Sequence, residues 1–155
     1  MTRSVTRLAA VGGLMLGAVA PTACGTPPPS RPDLFTPVAT VGQVMDAIVI
    51  PSSQAVFDAV VYVNGEPTRA PRSDDDWHAL QMHALAVAEA GNLLLIAPRV
   101  KAEPAWTDAA AAMTRAAASA ARAAEGKNVE RVLTAGTALY ATCTACHRAY
   151  LQDLP

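Results

Sequence analysis

Two cysteines and a histidine near the carboxyl end of the sequence are the residues best placed to do chemistry. They stand in the pentapeptide CTACH as Cys143, Cys146 and His147. On a helix these positions are i, i+3 and i+4, so their side chains point to one side. Two cysteines at this spacing can serve a disulfide, a redox dithiol, a zinc site or a covalently attached haem.

The histidine directly after the second cysteine favours haem among these four. Each cysteine can form a thioether bond with one vinyl group of a porphyrin, and the adjacent histidine can then ligate the iron.

The three alternatives fit the sequence less well. A thioredoxin-like dithiol has its cysteines at a helix N-terminus after a strand. A structural zinc site needs two more ligands, which His78 and His83 would have to supply from a distant part of the chain. A disulfide within one helical turn would be strained. We predict one covalent haem c on Cys143 and Cys146 with His147 as an iron ligand, and keep a haem-free dithiol oxidoreductase as an alternative.

The first residues predict export from the cytoplasm. A positively charged MTRSVTR precedes the apolar LAAVGGLMLGAVA, which is too short to span a membrane comfortably. We predict a signal peptide over residues 1–23 and a proline-rich linker over residues 24–35. Cys24 resembles a lipobox cysteine, although Pro21 stands where a lipobox usually has leucine, and Ala18-Val19-Ala20 offers a competing ordinary cleavage site. The expected location is the periplasmic side as a membrane-anchored lipoprotein, with a soluble periplasmic protein as the alternative.

Composition predicts one helical domain with a core of small side chains. The 155 residues are 52% hydrophobic but only 5% aromatic, and alanine, the best helix former, is abundant. The formal net charge is −1 and no cluster of lysine and arginine occurs in the sequence, so we expect no nucleic-acid partner.

Helical periodicity predicts four helices within residues 36–155. The first begins with Thr36 as cap and Pro37 in its first turn, runs towards residue 61, and is kinked or briefly broken at Pro51. The other three are expected over about residues 74–96 with Ser73 as cap, from about residue 105 to Gly126, and from Asn128 onwards. Between the first two helices, VYVNGEPTRAPRS is predicted to be a loop with a turn at Asn64-Gly65. Four helices of this length most simply form an antiparallel four-helix bundle, with Trp77 and Trp106 as core anchors.

The depth of each methionine along such a bundle limits the choice of a second iron ligand. His147 lies about 6 Å from the end of its helix at 1.5 Å per residue, and Met45 and Met113 lie at a comparable level. Met82 and His83 would lie roughly 20 Å from the corresponding end, which is too deep. The spacing therefore leaves Met45 and Met113 as candidates.

The segment CTACHRAY after three predicted helices, together with TVGQVMDAIV in the first helix, resembles the cytochrome c-prime family of class II c-type cytochromes. The resemblance spans roughly residues 36–151. Some members of that family leave the iron five-coordinate and bind NO or CO, whereas others ligate it with a first-helix methionine and carry electrons. Because QVMDAI is similar to the segment that bears this methionine, the resemblance implies Met45 as the distal ligand. Many members have a basic residue four positions after the haem histidine, but here that residue is Leu151, with Arg148 the nearest base.

The resemblance implies a single-electron carrier, not an enzyme, in which Tyr140 packs on the porphyrin edge. The alternative is a five-coordinate haem protein that binds NO or CO. Expected partners are redox proteins, including a membrane-bound electron-transfer complex reached from a lipid anchor at Cys24. The resemblance also allows for a homodimer formed through the first two helices.

Overall fold

The computed structural model describes residues 35–151, and this part of the chain is mostly helical, as predicted. Within it, β structure is confined to one two-stranded hairpin. The predicted signal peptide, Cys24 and the linker up to residue 34 lie outside the described residues. Among residues 35–151, no helix combines the length and the hydrophobicity that crossing a bilayer requires.

The first helical segment consists of three consecutive pieces: α1 (Val41–Val44), a π-helical turn (Met45–Val49) and α2 (Ile50–Phe57). Its predicted cap at Thr36 is wrong, because the helix begins after Thr40. The Oγ1 atom of Thr40 accepts the Gln43 N–H at 3.2 Å, and Gln43 Oε1 accepts the Thr40 N–H at 2.9 Å. This reciprocal capping box needs a glutamine or glutamate three residues after the cap, whereas Thr36 is followed there by Ala39.

The irregularity predicted at Pro51 takes the form of a widened turn just before it, not a break. Proline has no N–H, and in a regular helix its ring would clash with the carbonyl four residues earlier, here that of Ala47. In the π-helical turn, the Ile50 N–H donates to the Met45 carbonyl, five residues back. The wider turn accommodates Pro51, and the helix continues to Phe57.

The connection after α2 is a β-hairpin, which corrects the prediction of a simple loop. Strands β1 (Val61–Val63) and β2 (Glu66–Arg69) pair in antiparallel register. Asn64 and Gly65, the predicted turn, both have positive φ, at 52° and 85°, as a tight hairpin turn of the primed type requires. The strands escaped sequence analysis because all their side chains are exposed, so they show no alternation of buried and exposed residues.

Three long helices follow: α3 (Asp74–Leu93), α4 (Pro104–Glu125) and α5 (Val129–Tyr150). The predicted caps are confirmed. Ser73 Oγ accepts the Asp76 N–H at 3.1 Å, and Asn128 Oδ1 accepts the Arg131 N–H at 2.8 Å. Helix α3 ends three residues earlier than predicted.

Two side chains satisfy carbonyls at the end of α3. The buried Arg99 donates from Nε to the Leu93 carbonyl at 2.6 Å and from Nη1 to the Ala39 carbonyl at 3.0 Å. The indole N–H of Trp106 donates to the Leu94 carbonyl at 3.0 Å. These bonds hold the end of α3, the start of α4 and the segment before α1 together.

Helix α4 runs in the opposite direction to both α3 and α5. Lys127, after the end of α4, forms an ion pair of 2.7 Å with Asp74 at the start of α3. Tyr150 at the end of α5 packs edge to face on Trp106 at the start of α4, with ring centroids 5.0 Å apart. Phe57 at the end of α2 contacts Tyr140 of α5 in the same manner at 5.8 Å.

Helices α3 and α4 approach each other closely at Gly91. A Cβ atom built on Gly91 would overlap Thr114 Oγ1, whose hydroxyl donates to the Ala88 carbonyl of α3 at 3.2 Å. The inner face of α4 is mostly alanine, including the fully buried Ala117 and Ala124. Small residues on both helices are therefore a condition of this packing.

We expect Gly91→Ala to lower the free energy of unfolding by about 1–3 kcal/mol, because the added methyl group overlaps Thr114 and forces the two helices apart. Gly136→Ala in α5 is the matched control. Its Cβ would have ordinary contacts only, the nearest to Val56 Cγ1 at 3.9 Å, so better helix propensity should leave stability unchanged or higher. Urea denaturation followed by circular dichroism measures both. Equal effects of the two substitutions would contradict the close approach.

Candidate functional site

A cavity of about 300 Å³ lies between the first helical segment, the start of α4 and the end of α5. Its size falls at the lower end of the usual range for small-molecule and cofactor sites. Side chains from all the predicted site residues line it, together with mostly apolar neighbours. The lining residues that matter below are Met45, Val49, Ile50, Ser53, Gln54, Phe57, Trp106, Met113, Tyr140, Cys143, Cys146 and His147.

The last two turns of α5 carry the residues of the CTACH motif. Cys143 and Cys146 are half-buried free thiols, and His147 is exposed at the same wall. The threonines that flank Cys143 bond to their own helix: Thr142 Oγ1 donates to the Leu139 carbonyl at 2.7 Å and Thr144 Oγ1 to the Tyr140 carbonyl at 3.0 Å. Their hydroxyl groups are thus engaged, which leaves sulfur and imidazole as the reactive groups of this wall.

Burial makes both thiols weaker acids than an ordinary cysteine. It raises the pKa of Cys143, an effect partly opposed by the adjacent hydroxyl group of Thr142. It also raises the pKa of Cys146, partly opposed by the positive charge of Lys101. A nucleophilic dithiol needs the reverse, a pKa lowered by a helix N-terminus or by adjacent cations. Both thiols therefore stay protonated at neutral pH.

Both candidate methionines line the same cavity as the thiols, each from a different helix. Met45 is half-buried on the first helical segment, and Met113 is 7% exposed on α4. Met82 is 42% exposed on α3 and does not line the cavity, in agreement with the depth estimate. The two methionines thus remain as the thioether groups available there.

Trp106 forms one wall of the cavity and carries a cation on its outer side. The ammonium of Lys101 lies 5.5 Å from the centre of the Trp106 ring and 5.1 Å from that of Tyr150. Sequence analysis missed Lys101, which comes from the loop between α3 and α4. Its closeness to Cys146 depends on how that loop folds back, so no sequence signal marks it. Leu151, which stands four positions after His147 where the sequence comparison looked for a basic residue, is exposed, and so is Arg148, the nearest base in the sequence.

Tyr140, expected to pack on a porphyrin edge, lies at the cavity margin with 62% of its surface exposed. Its ring contacts Phe57, which also lines the cavity. His78 and His83 are exposed on α3 and contribute nothing to this site. Trp77 and Trp106 are buried, as predicted.

The donor set limits the chemistry that these residues could support. Within residues 35–151, no three His, Cys, Asp or Glu side chains gather into a metal-binding group. The two thiols and the one imidazole fall short of the four ligands of a structural zinc site. Two protonated thiols, an imidazole and a thioether around an apolar cavity do fit a thioether-linked haem, which needs two cysteines and axial nitrogen or sulfur ligands.

Comparison with protein-family models, with curated proteins and with solved structures found no match to this chain.

The raised thiol pKa values predict slow alkylation of the haem-free protein. We expect iodoacetamide to react with Cys143 and Cys146 more slowly at neutral pH than in the same protein unfolded in urea, because burial disfavours the thiolate. The rate should still be rising with pH where the unfolded protein has levelled off. Mass spectrometry measures the rates, and circular dichroism confirms that the haem-free protein is folded. Faster alkylation of the folded protein at neutral pH would indicate an activated dithiol instead.

Proposed function

We propose that this chain is an exported monohaem c-type cytochrome that carries single electrons. One observation carries the proposal: Cys143, Cys146 and His147 line the same cavity as Met45. The motif alone specifies only the covalent attachment. A cavity that unites it with a possible second ligand gives the cofactor a place between helices.

Each residue of the site has a separate task in this proposal. Cys143 and Cys146 would each add their S–H across one vinyl group, so that a carbon–sulfur bond forms and the hydrogen moves to the neighbouring vinyl carbon without any oxidant. His147 and Met45 would each ligate the haem iron. The bound haem provides an iron that accepts and releases one electron.

The surroundings of these ligands favour electron transfer over substrate turnover. A methionine ligand raises the reduction potential compared with a second histidine or water. The apolar side chains of Val49, Phe57 and Trp106 keep water from this side of the cavity, which limits reorganisation when the charge changes. Nothing in this arrangement requires a bound substrate.

The antiparallel four-helix bundle is the architecture that we propose for the haem domain. The contacts between α3 and α4 and between α4 and α5 support it, because each joins the end of one helix to the start of the other. Phe57 at the end of α2 packs on Tyr140 in the middle of α5. In such a bundle the end of α5 and the start of the first segment meet at one end, as Cys146 and Met45 do at the cavity.

The proposed setting is the periplasmic side of a membrane. A signal peptide over residues 1–23 and lipidation of Cys24 would tether the domain by its proline-rich linker, within reach of a membrane-bound electron-transfer complex. A soluble periplasmic form remains the alternative, and pairing with a second copy of the chain is a further option.

Covalent haem is the first point to test. After expression together with a cytochrome c maturation system, haem staining of a denaturing gel should reveal the wild-type band, because thioether-linked haem survives denaturation. Cys143→Ala with Cys146→Ala should abolish the stain. An unstained wild-type band would overturn the cytochrome and leave the dithiol oxidoreductase.

The visible spectrum distinguishes the electron carrier from the gas-binding alternative. We expect sharp ferrous α and β bands that do not change with CO, because Met45 occupies the sixth position. Met45→Leu should produce a high-spin ferrous spectrum that CO transforms, and should lower the reduction potential.

Met113→Leu is the matched control, since it removes the other thioether of the cavity with little change in volume. We expect it to leave the low-spin spectrum intact. If Met113→Leu opens the iron and Met45→Leu does not, Met113 is the ligand. If the wild-type ferrous protein is already high-spin and binds CO, the NO- or CO-binding function replaces electron transfer.

A further inference from the structure

Met45 is the first residue of the π-helical turn, and this position decides which side chain of the first segment faces the cavity. The inference below rests on the proposed haem ligation by Met45. It concerns Pro51, which neither lines the cavity nor belongs to any motif identified from the sequence.

The cavity-lining residues from the last residue of the π-helical turn to the end of α2 define a stripe on the first helical segment. They are Val49, Ile50, Ser53, Gln54 and Phe57. At about 100° per residue, this stripe is centred roughly 70° around the helix axis from Val49, in the direction of Ile50.

A regular α-helix through residues 45–49 would turn Met45 away from this stripe. Counting back from Val49 at about 100° per residue places Met45 roughly 110° from the centre of the stripe and Asp46 within about 10° of it. A carboxylate, not a thioether, would then face the thiols of α5.

The π-helical turn brings Met45, instead of Asp46, nearer to the centre of the stripe. Closing the turn on the fifth residue instead of the fourth lowers the rotation to roughly 80° per residue. Met45 then lies about 30° from the centre of the stripe, and Asp46 moves to about 50° on its far side. The side chains agree with this calculation, since Met45 is half-buried in the cavity lining and Asp46 is exposed and outside it.

Pro51 supplies the physical reason for the wide turn. A proline at this position cannot donate to the Ala47 carbonyl, and its ring excludes that carbonyl from the usual position. A π-helical turn contains one residue more than an α-helical turn, so the chain before it is rotated about the helix axis. Helix α1 is only one turn long and can take up this rotation as a unit. The hydrogen bond from Arg99 to the Ala39 carbonyl fixes where the chain enters α1.

We propose that Pro51 is a positioning residue, which imposes the π-helical turn and thereby directs Met45 instead of Asp46 to the sixth coordination position of the haem iron. Proline is the one residue type that combines the missing N–H with the ring clash. Any other residue at position 51 would permit a regular helix and put the carboxylate of Asp46 in the cavity.

The test is Pro51→Ala in the mature haem protein, read from its absorption spectrum, CO binding and reduction potential. We expect the ferrous protein to lose its low-spin bands, to bind CO and to have a lower potential, as in Met45→Leu. Pro104→Ala is the matched control, because Pro104 starts α4 without a π-helical turn. It should change none of these properties.

A rescue variant separates positioning from general damage. If Pro51→Ala restores a regular helix, adding Asp46→Met and Met45→Leu should place a new thioether at the centre of the stripe. The triple variant should regain the low-spin spectrum and lose CO binding. The same Asp46→Met and Met45→Leu changes with Pro51 retained should stay open to CO.

The outcomes keep this inference distinct from the proposed function. A wild-type protein without haem, or with an open iron, overturns both. A low-spin wild type whose Pro51→Ala variant remains low-spin overturns the positioning role alone. A Pro51→Ala variant that opens the iron without rescue by the triple variant also overturns it, because the loss would then not come from helix register.

Discussion

The close approach of α3 and α4 is the constraint on which the rest of the structure depends. Gly91 and the alanines of α4 let the two helices meet with little space between them, and Thr114 bonds across the contact. Nearer the start of α4, the larger side chain of Trp106 replaces these small residues, and its indole bonds to the Leu94 carbonyl. The cavity lies beside Trp106, at the end of the structure where α5 finishes.

Much of this arrangement follows from local sequence rules. The caps at Ser73 and Asn128 and the turn at Asn64-Gly65 are set by hydrogen bonds or backbone angles within a few residues, so the sequence predicted them correctly. The prediction of Thr36 as the cap was wrong because Thr40 is a second candidate nearby. Gln43, which accepts a hydrogen bond from the Thr40 N–H, favours Thr40.

The parts that could not be predicted depend on contacts between distant residues. Lys101 reaches Cys146 only because the loop after α3 returns over Trp106, and the sequence carries no periodicity in that loop. Pro51 clearly predicted an irregular helix, but not whether it would bend, break or widen. The difference matters for function, because a wide turn changes which residues upstream share a face, whereas a bend would not.

Most polar side chains near the cavity already form hydrogen bonds within the protein, so few polar groups are available to a cofactor. Within residues 35–151, every buried side-chain nitrogen and oxygen has a hydrogen-bond partner. The threonines beside Cys143 bond to their own helix, and Trp106 and Arg99 are occupied by the end of α3. A guest molecule in the cavity therefore meets mostly sulfur, imidazole and hydrocarbon, with the polar side chains of Ser53, Gln54 and Tyr140 as further lining residues. That environment suits a flat apolar macrocycle held by covalent bonds and iron ligation better than a polar substrate, which would leave its own donors and acceptors without partners.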